Sequence, residues 1–299
     1  MDRISAMETF VAVADKGGFA AAARALGQSP PAVTRAIAAL EDRLGTRLFR
    51  RTTRAVHLTE SGNRFLIDCR RILQDIGEAE DAAVGTHATP RGALRITAPV
   101  LFGRIYVTPI LVDFLDRYPA VSAETLFVDR IVNLMDEGLD VAIRIGHLPD
   151  SSLTAIRVGQ IRLVTFAAPE YLDAHGTPAS PDELVSHRLI HSRALGHGAE
   201  WNFYADGRPA DVSIAPRLQM NTNDAVIEAV TRGWGLSRLL SYQIAPLVRE
   251  GRLTTVLDAF EPPPLPIHIV HQEGRMVSAK LRTFADFMAE RLRADTLIA

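Results

Sequence analysis

Apolar residues recur every three or four positions through the first 44 residues, which predicts three short helices. The first covers residues 4–15, and the second, rich in alanine, runs from Phe19 to Leu26. The third starts after Gly27, where Ser29 is a candidate N-cap and two prolines fill the first turn. The side chains predicted to face the core are Ile4, Met7, Phe10, Val11 and Ala14 of the first helix and Val33, Ile37, Leu40 and Leu44 of the third.

An arginine-rich segment with a β-like pattern follows the third helix. Residues 34–58 contain six arginines against Glu41 and Asp42, a local excess of four positive charges. A winged helix-turn-helix has this order of elements: a helix, a tight turn, a second helix and a basic hairpin. A local positive stripe suits a phosphate backbone even though the whole chain has a net charge of -2. Double-stranded DNA is therefore the first partner predicted, and the alternative is a solvated basic face.

Residues 59–87 are predicted to form one long helix. Its heptad seam follows alternating steps of three and four through Leu66, Cys69, Leu73, Ile76 and Ala83, with Glu80 as the one polar break. A helix of about 28 residues, about 40 Å long, cannot bury such a seam alone, so the pattern predicts a partner helix from a second chain. Packing within one chain is the alternative. Cys69 is predicted to be buried in the helix dimer rather than to act as a redox sensor.

Beyond Gly92, short strands alternate with helices, which indicates an α/β domain with a mainly parallel sheet. Strands are predicted at residues 93–98, 121–128, 139–145, 162–168 and 265–271. Helices are predicted at residues 104–118, 131–137, 222–232 and 278–293. For residues 194–210 the pattern predicts only a loop and a short strand. A break at residues 89–92 separates this region from the long helix.

Several motifs then occur in one characteristic order. They are Phe19-x-x-Ala-Ala-x-x-Leu26, Ser29-x-Pro-Ala-Val-Thr-Arg35, Leu44-Gly-x-Arg-Leu-Phe-x-Arg-Thr-Thr-Arg54, Leu58-Thr-x-x-Gly62, Gly92-x-Leu-Arg-Ile96, Glu137-Gly-x-Asp-Val-Ala-Ile-Arg-Ile-Gly146 and Gly233-x-Gly235. Together they resemble the LysR-type transcriptional regulators of bacteria, and the resemblance covers essentially the whole chain. It implies a winged helix-turn-helix, a dimerising linker helix, and a two-lobed α/β effector-binding domain similar to periplasmic solute-binding proteins.

The resemblance also implies domain boundaries. The DNA-binding domain would be residues 1–58, the linker helix 59–88 and the effector-binding domain 89–299. Lobe I would combine residues 92–161 with 267–299, and lobe II would be residues 162–266.

A recognition helix presents its N-terminal turns to base edges in the major groove. The residues predicted to bind DNA are Gln28, Ser29, Pro30, Pro31, Ala32, Thr34 and Arg35 on this helix, and Arg50, Arg51 and Arg54 on the hairpin. Arg35 can bind guanine through two hydrogen bonds or clamp a phosphate. Pro30 stands where the family often has glutamine. The DNA bases would therefore be recognised either through contact of the two prolines with thymine methyl groups or through Gln28 and Arg35.

A symmetric dimer would place two recognition helices about 34 Å apart, which matches an interrupted palindrome in DNA. The resemblance implies a tetramer built as a dimer of dimers. RNA polymerase is a further candidate partner.

The resemblance places a small-molecule effector in the cleft between the lobes. The implied cleft residues are Pro99, Val100, Leu101, Asp129, Arg144, Gly146, Ser192, Asn221 and Asn223. Arg144 would pair either with an acidic ligand or in a salt bridge between the lobes. In many relatives a Ser or Thr after the first strand holds an effector carboxylate, but Ala98-Pro99-Val100 stands here. This difference from the family pattern argues against a carboxylate effector.

The remaining features narrow the function classes. The sequence indicates neither a signal peptide nor a membrane-spanning segment. Its single cysteine is typical of a protein in the reducing cytoplasm. The sequence has no phosphate-binding glycine loop, no His-Glu-x-x-His motif and no catalytic constellation. We therefore expect no metal, no cofactor and no enzyme activity. The rival functions are a binding module that transports or buffers a metabolite, and an enzyme.

Overall fold

A computed structural model describes residues 2–51, 56–84, 89–149, 153–195, 198, 200–205, 207–272 and 278–298. The chain forms two compact units, one mainly of residues 1–89 and the other mainly of residues 90–299. No helix within these described ranges has both the length and the apolar character needed to cross a bilayer.

The N-terminal unit is a three-helix bundle with a β-hairpin and a long helix. Its elements are α1 (Arg3–Lys16), α2 (Phe19–Ala25), α3 (Pro30–Leu44), β1 (Phe49–Arg51), β2 (Val56–Leu58) and α4 (Glu60–Val84). The left-handed Gly17, with φ of 65°, ends α1 and lets α2 start two residues later. Phe10 lies at the centre of the core, with its ring centroid 5.2 Å from that of Phe49 and 5.3 Å from that of Phe65. The predicted helix-turn-helix with its hairpin is confirmed.

Two details of the predicted core are wrong. Ile4 is 38% exposed and Leu44 is 40% exposed. The face of α1 that packs inward is centred on Phe10 and also contains Ala6, Thr9 and Val13, because α2, α3 and α4 all contact this helix. Leu44 is the last residue of α3, and the chain turns away at Gly45 before the side chain reaches the core.

The first half of α4 packs against its own chain. Cys69 is completely buried in the same core as Phe10, and Phe65 and Leu66 pack at its edge. Arg70 of α4 also forms an ion pair with Asp15 of α1. The prediction that Cys69 is buried in a helix dimer is therefore wrong: α1 already covers this part of the seam. The predicted helical end at residues 85–87 lies outside the described residues.

The Cys69 thiol should be almost unreactive in the native protein. Burial, with a smaller effect from Asp68, raises the pKa of this thiol from 9.0 to about 12. That shift lowers the reactive thiolate fraction about a thousandfold at neutral pH. Treatment of the full chain with Ellman's reagent should release thionitrobenzoate slowly, and rapidly after addition of guanidinium chloride. Equally fast release under both conditions would contradict the buried position.

The C-terminal unit contains two groups of strands with helices around them. Its elements are β3 (Gly92–Ala98), α5 (Val100–Phe102), a π-helical turn (Gly103–Val107), α6 (Thr108–Arg117), β4 (Val121–Phe127), β5 (Val141–Ile145), β6 (Leu153–Ile161), β7 (Leu163–Ala167), α7 (Pro169–His175), a 3-10 turn (Pro181–Ser186), β8 (Ile190–Ser192), a 3-10 turn (Arg193–Leu195), β9 (Glu200–Ala205), β10 (Arg208–Ser213), β11 (Leu218–Met220), α8 (Asn223–Thr231), β12 (Ser237–Leu240), α9 (Ser241–Arg249), β13 (Thr254–Val256), a 3-10 turn (Asp258–Phe260), β14 (Leu265–Gln272) and α10 (Ala279–Arg293).

The first group of strands, which we call lobe I, is a five-stranded sheet of order β4-β3-β5-β14-β6. Strand β3 is parallel to β4 and β5, but β14 is antiparallel to both β5 and β6. The sheet is therefore mixed, which corrects the prediction of a mainly parallel sheet. The reason is topological: β14 returns to this sheet from the other lobe and enters it from the opposite end. Phe114 of α6 and Phe284 of α10 pack edge to face, with ring centroids 5.1 Å apart.

The second group of strands, which we call lobe II, consists of smaller sheets. The antiparallel sheet β12-β7-β13 lies beside the parallel pair β11-β8. Strands β9 and β10 form an antiparallel hairpin with six residue pairs. The predicted loop with a short strand at residues 194–210 is therefore incomplete, since a hairpin extends to Ser213. Trp201 and Phe203 alternate inward on β9 into the lobe core, while Glu200 and Asn202 face outward.

The predicted helix at residues 131–137 is also wrong. Residues 134–138 form a turn, in which the Leu139 amide donates to the Leu134 carbonyl over 2.8 Å. Val132, Leu134 and Leu139 are buried against Ala142 and Val270. Val132 and Leu134 are two residues apart and would lie on opposite faces of a helix, yet both pack into this cluster, so the packing overrides the helical spacing.

Candidate DNA-binding surface and effector cleft

The start of α3 forms an exposed surface of the N-terminal unit. The Ser29 hydroxyl accepts a hydrogen bond of 3.3 Å from the Ala32 amide, so it caps the helix as the sequence predicts. Among the residues predicted to bind DNA, Gln28, Ser29, Pro30, Pro31 and Arg35 are exposed, and Ala32 and Thr34 are half-buried. The opposite side of α3 is buried in the core through Val33, Ile37 and Leu40. The helix thus presents its first turns to solvent.

The hairpin β1–β2, which we call the wing, lies next to α3 in the chain. Arg50 is exposed and is paired in register with His57 on the other strand. The side chain of Arg51, and Arg54 as a whole, lie outside the described residues. Arg35 has no hydrogen bond or ion pair to any other described residue. The surface therefore contains at least two exposed guanidinium groups, on α3 and on the wing.

Glu41 connects α3 to the wing. One carboxylate oxygen accepts hydrogen bonds from the amides of Leu48 (2.8 Å) and Phe49 (3.1 Å), and the other accepts one from Arg47 (2.9 Å). The Glu41 side chain is only 3% exposed. Sequence analysis counted it only as a charge opposing the arginines. Its spacing of four residues from buried Ile37 was the signal that it faces inward.

A second connection joins the wing to α4. The Thr59 hydroxyl donates to the Arg47 carbonyl (2.7 Å) and accepts from the Gly62 amide (2.9 Å), which caps α4. A Cβ atom on Gly62 would lie 2.1 Å from the carbonyl oxygen of Leu48, so only glycine fits at this close approach. The structure thus holds α3, the wing and α4 as one framework.

In the C-terminal unit, two of the predicted cleft segments meet at the end of β3. The Val100 amide donates a hydrogen bond of 3.0 Å to Asp129, which follows β4. Burial raises the pKa of the Asp129 carboxyl, the bond from Val100 partly opposes this, and Asp224 raises the pKa further. Pro99 is half-buried and precedes α5, whereas Leu101 is buried in the core.

Arg144 and Gly146 lie at the end of β5 in the same lobe. Arg144 is half-buried and donates to the Val132 carbonyl over 3.2 Å. Gly146 has φ of 120°, and its amide donates to the Pro266 carbonyl over 2.9 Å, beside the strand that returns from lobe II.

The lobe II residues of the predicted cleft also lie together. The hydroxyl of Ser192, at the end of β8, donates to Asn223 over 2.5 Å and accepts from the Ala194 amide over 3.3 Å. Ser192 and Asn223 are both buried, whereas Asn221 is exposed before α8. Asp224 lies in the first turn of α8 and places a negative charge at the helix N-terminus, which disfavours an anion there.

The lobes touch through residues that sequence analysis missed. Arg104 of the π-helical turn lies 3.4 Å from Asp224 of lobe II. The rings of Phe102 and Tyr106 pack against each other and against Tyr242 of α9, with centroid distances of 4.7, 5.4 and 5.8 Å. Gly103 starts this turn under the ring of Phe127, where a Cβ would lie 2.5 Å from a ring atom. A π-turn has no dependable sequence signal, which is why this contact was not predicted.

Comparison with known proteins assigns both parts of the chain to one family. Residues 4–63 match the family model of bacterial regulatory helix-turn-helix proteins of the lysR family, and residues 87–293 match the LysR substrate-binding domain. The chain is 36% identical to an HTH-type transcriptional regulator of Xanthomonas campestris pv. campestris over 96% of this chain and 84% of the relative. It is 35% identical to an HTH-type transcriptional repressor of Pseudomonas aeruginosa over 97% and 92% of the two chains.

Solved structures of full-length regulators show the same architecture. The chain superimposes on the LysR-type regulator CrgA of Neisseria meningitidis with a TM-score of 0.62 and 30% identity, over 96% of this chain and 98% of CrgA. It superimposes on AphB, the Vibrio cholerae virulence activator, with a TM-score of 0.62 and 26% identity, over 97% and 99%. The chain therefore belongs to the LysR-type transcriptional regulators and is a DNA-binding regulator with a C-terminal domain that binds a small-molecule effector.

Proposed function

We propose that the regulator reads its operator through the first turns of α3 and through the wing. The residues assigned to DNA contact are Gln28, Ser29, Pro30, Pro31, Ala32, Thr34 and Arg35, with Arg50, Arg51 and Arg54 on the wing. The observation that carries this proposal is the exposed Arg35, which no other described residue engages, at the N-terminal end of a capped helix. Its five fixed donors suit a guanine edge or a phosphate.

The proposed DNA site is an interrupted palindrome bound by a dimer. We assign residues 1–58 to DNA binding, 59–88 to the linker helix and 89–299 to effector binding, with lobe I formed by 92–161 and 267–299 and lobe II by 162–266. Ile67 of α4 is 43% exposed and Leu73 and Ile76 are half-buried, so part of this helix remains available to a second chain. A dimer of dimers on DNA, contact with RNA polymerase and a cytoplasmic location complete the proposal.

The effector would act by changing how the two lobes meet. The aromatic contact of Tyr242 with Phe102 and Tyr106 and the ion pair of Arg104 with Asp224 link the lobes next to the proposed cleft. A ligand that binds one arrangement of the lobes better than another shifts the population between them. The spacing of paired DNA-binding domains, and hence the bend of the DNA, would change with it.

Footprinting of the DNA upstream of the regulator gene tests this function. We expect two protected half-sites whose centres are about one helical turn, or a multiple of it, apart. Affinity should fall by about 10³-fold or more between 50 and 200 mM salt, as for about six or more phosphate contacts. Absence of protection at low ionic strength, or binding that ignores salt, would overturn the proposal.

A further inference from the structure

A narrow pocket lies inside lobe II, beside the proposed cleft. It lies between the first residue of β7 (Leu163), the end of β8 (His191 and Ser192) and the hairpin residue Trp201, with Arg238 of β12 completing its wall. Its volume is about 20 Å³, enough for a group the size of a water molecule or a carboxylate oxygen. Ser192 is shared with the cleft wall, where it contacts Asn223. The pocket therefore suits the end group of a ligand and not a whole ligand.

Arg238 is the unusual residue of this pocket. It is 4% exposed, and its guanidinium lies 4.4 Å from the centre of the Phe203 ring. One terminal nitrogen donates to the Asn202 carbonyl, but the buried Nε–H has no hydrogen-bond partner among the described residues. A buried donor without an acceptor is costly, and a guanidinium group has five donors to satisfy.

The charge of Arg238 is also not matched by a direct ion pair in the described part of the chain. Burial lowers the pKa of this guanidinium to about 10, and Glu261 partly opposes the effect, so the group stays positive at neutral pH. Glu261 itself is bound to Arg162 at 3.2 Å. A buried cation with a free donor provides an electrostatic and geometric reason for an anion to enter.

Arg104, at the contact between the lobes, is less suitable as an anchor. Arg104 pairs with Asp224, whose carboxylate also lies in the first turn of α8 and opposes an anion there. Glu200 lines the pocket as well, and its negative charge disfavours a doubly charged phosphate more than a singly charged carboxylate.

We propose that Arg238 anchors a carboxylate group of the effector in this pocket, with the remainder of the molecule extending past Ser192 into the cleft. The inference rests on the proposed effector cleft and names the chemical class of its ligand. This assignment reverses the expectation, drawn from Ala98-Pro99-Val100 of lobe I, that the effector has no carboxylate. Trp201 lies against the pocket and reports on its occupancy.

Tryptophan fluorescence of the full-length protein tests the proposal. The chain has two tryptophans, so Trp234→Phe leaves Trp201 as the sole reporter. This protein is titrated with propionate and benzoate, and with the neutral amides propionamide and benzamide, at constant ionic strength. We expect each acid to bind about tenfold or more tightly than its amide, since a charge-assisted hydrogen bond is lost with the amide.

Arg238→Met retains the length of the side chain and removes its charge. We expect it to abolish the preference for acids, whereas Arg252→Met, a change at an exposed arginine of the same lobe, should retain it. Equal binding of acid and amide by the Trp234→Phe protein would overturn the anchor, and this comparison does not depend on how Arg238→Met folds. An unchanged preference in folded Arg238→Met would overturn it too.

Operator binding without ligand is measured in parallel. A protein that binds the operator but shows no acid preference refutes the carboxylate anchor and leaves the proposed function intact. A protein that ignores the operator refutes the proposed DNA function, whatever the titration shows.

Discussion

Arg35→Ala is expected to lower operator affinity by about 10- to 100-fold, because a bidentate contact to a base is worth about 1–3 kcal/mol. Arg35 is exposed and makes no bond with another described residue, so its removal should leave fold and dimer unchanged. If the side chain binds guanine, specificity should relax at one base pair of each half-site. If it binds a phosphate, affinity should instead fall uniformly across sequences and the salt dependence should weaken.

Arg43→Ala is the matched control for this experiment. Arg43 lies on the same helix and is exposed, but it is in the last turn of α3, away from the proposed DNA-contacting end. It should change operator affinity much less than Arg35→Ala does. Affinities are measured by mobility shift at fixed salt, with circular dichroism and sedimentation to check fold and assembly. Equal losses for both variants would show that Arg35 contributes only general charge.

Glu41→Ala is expected to lower the free energy of unfolding of the N-terminal unit by about 2–5 kcal/mol, since it leaves two buried amides without an acceptor. Leu48 and Phe49 both donate to this carboxylate, and their side chains are buried in the core. Without it the wing loses its fixed position relative to α3, so operator binding should fall as well.

Hydrogen exchange of the full-length protein measures this effect at the site. Peptides that contain the amides of Leu48 and Phe49 should exchange faster in Glu41→Ala than in the wild type, while those from the C-terminal unit should not change. Asp42→Ala removes the neighbouring, exposed carboxylate and serves as control. Unchanged protection of the two amides would mean that Glu41 does not hold the wing.

The same carboxylate should make the N-terminal unit sensitive to acid. Burial raises the pKa of Glu41, but the hydrogen bonds from Phe49, Leu48 and Arg47 outweigh it and hold the pKa below the ordinary value of 4.5. The stabilisation is therefore fully present above pH 4.5 and is lost as the pH falls through the lower, folded-state pKa. Protection of these amides should differ between wild type and Glu41→Gln at neutral pH, and the difference should shrink as the pH falls below 4.5 and through the folded-state pKa.

Local patterns predicted the N-terminal unit well because its helices are defined by near neighbours. Ser29 caps α3 and Pro30 starts it, as their positions in the sequence predict. Glu41 shows where this reasoning fails. Its charge suggested a surface position, and only the fold reveals the two amides from the wing that compensate for its burial.

The effector domain was less predictable because its contacts are long-range. The lobe-linking contacts of Arg104 with Asp224 and of Phe102 with Tyr242 join residues more than 100 positions apart. At residues 134–138 tertiary packing produces a turn, although the spacing of apolar residues predicts a helix. The residues around Arg238 in its own strand give no indication that its side chain is buried. No local pattern encodes which side chains will lie opposite one another in such a fold.

By itself, the sequence determined the helix-turn-helix, the wing and the order of most strands and helices, because caps, breakers and periodicity act over a few residues. Tertiary structure alone decided which seam residues of α4 are covered by α1, how β14 closes a mixed sheet, and where Glu41 and Arg238 become buried. Burial of a charge depends on donors and acceptors brought from distant parts of the chain, and their arrangement exists only once the chain has folded.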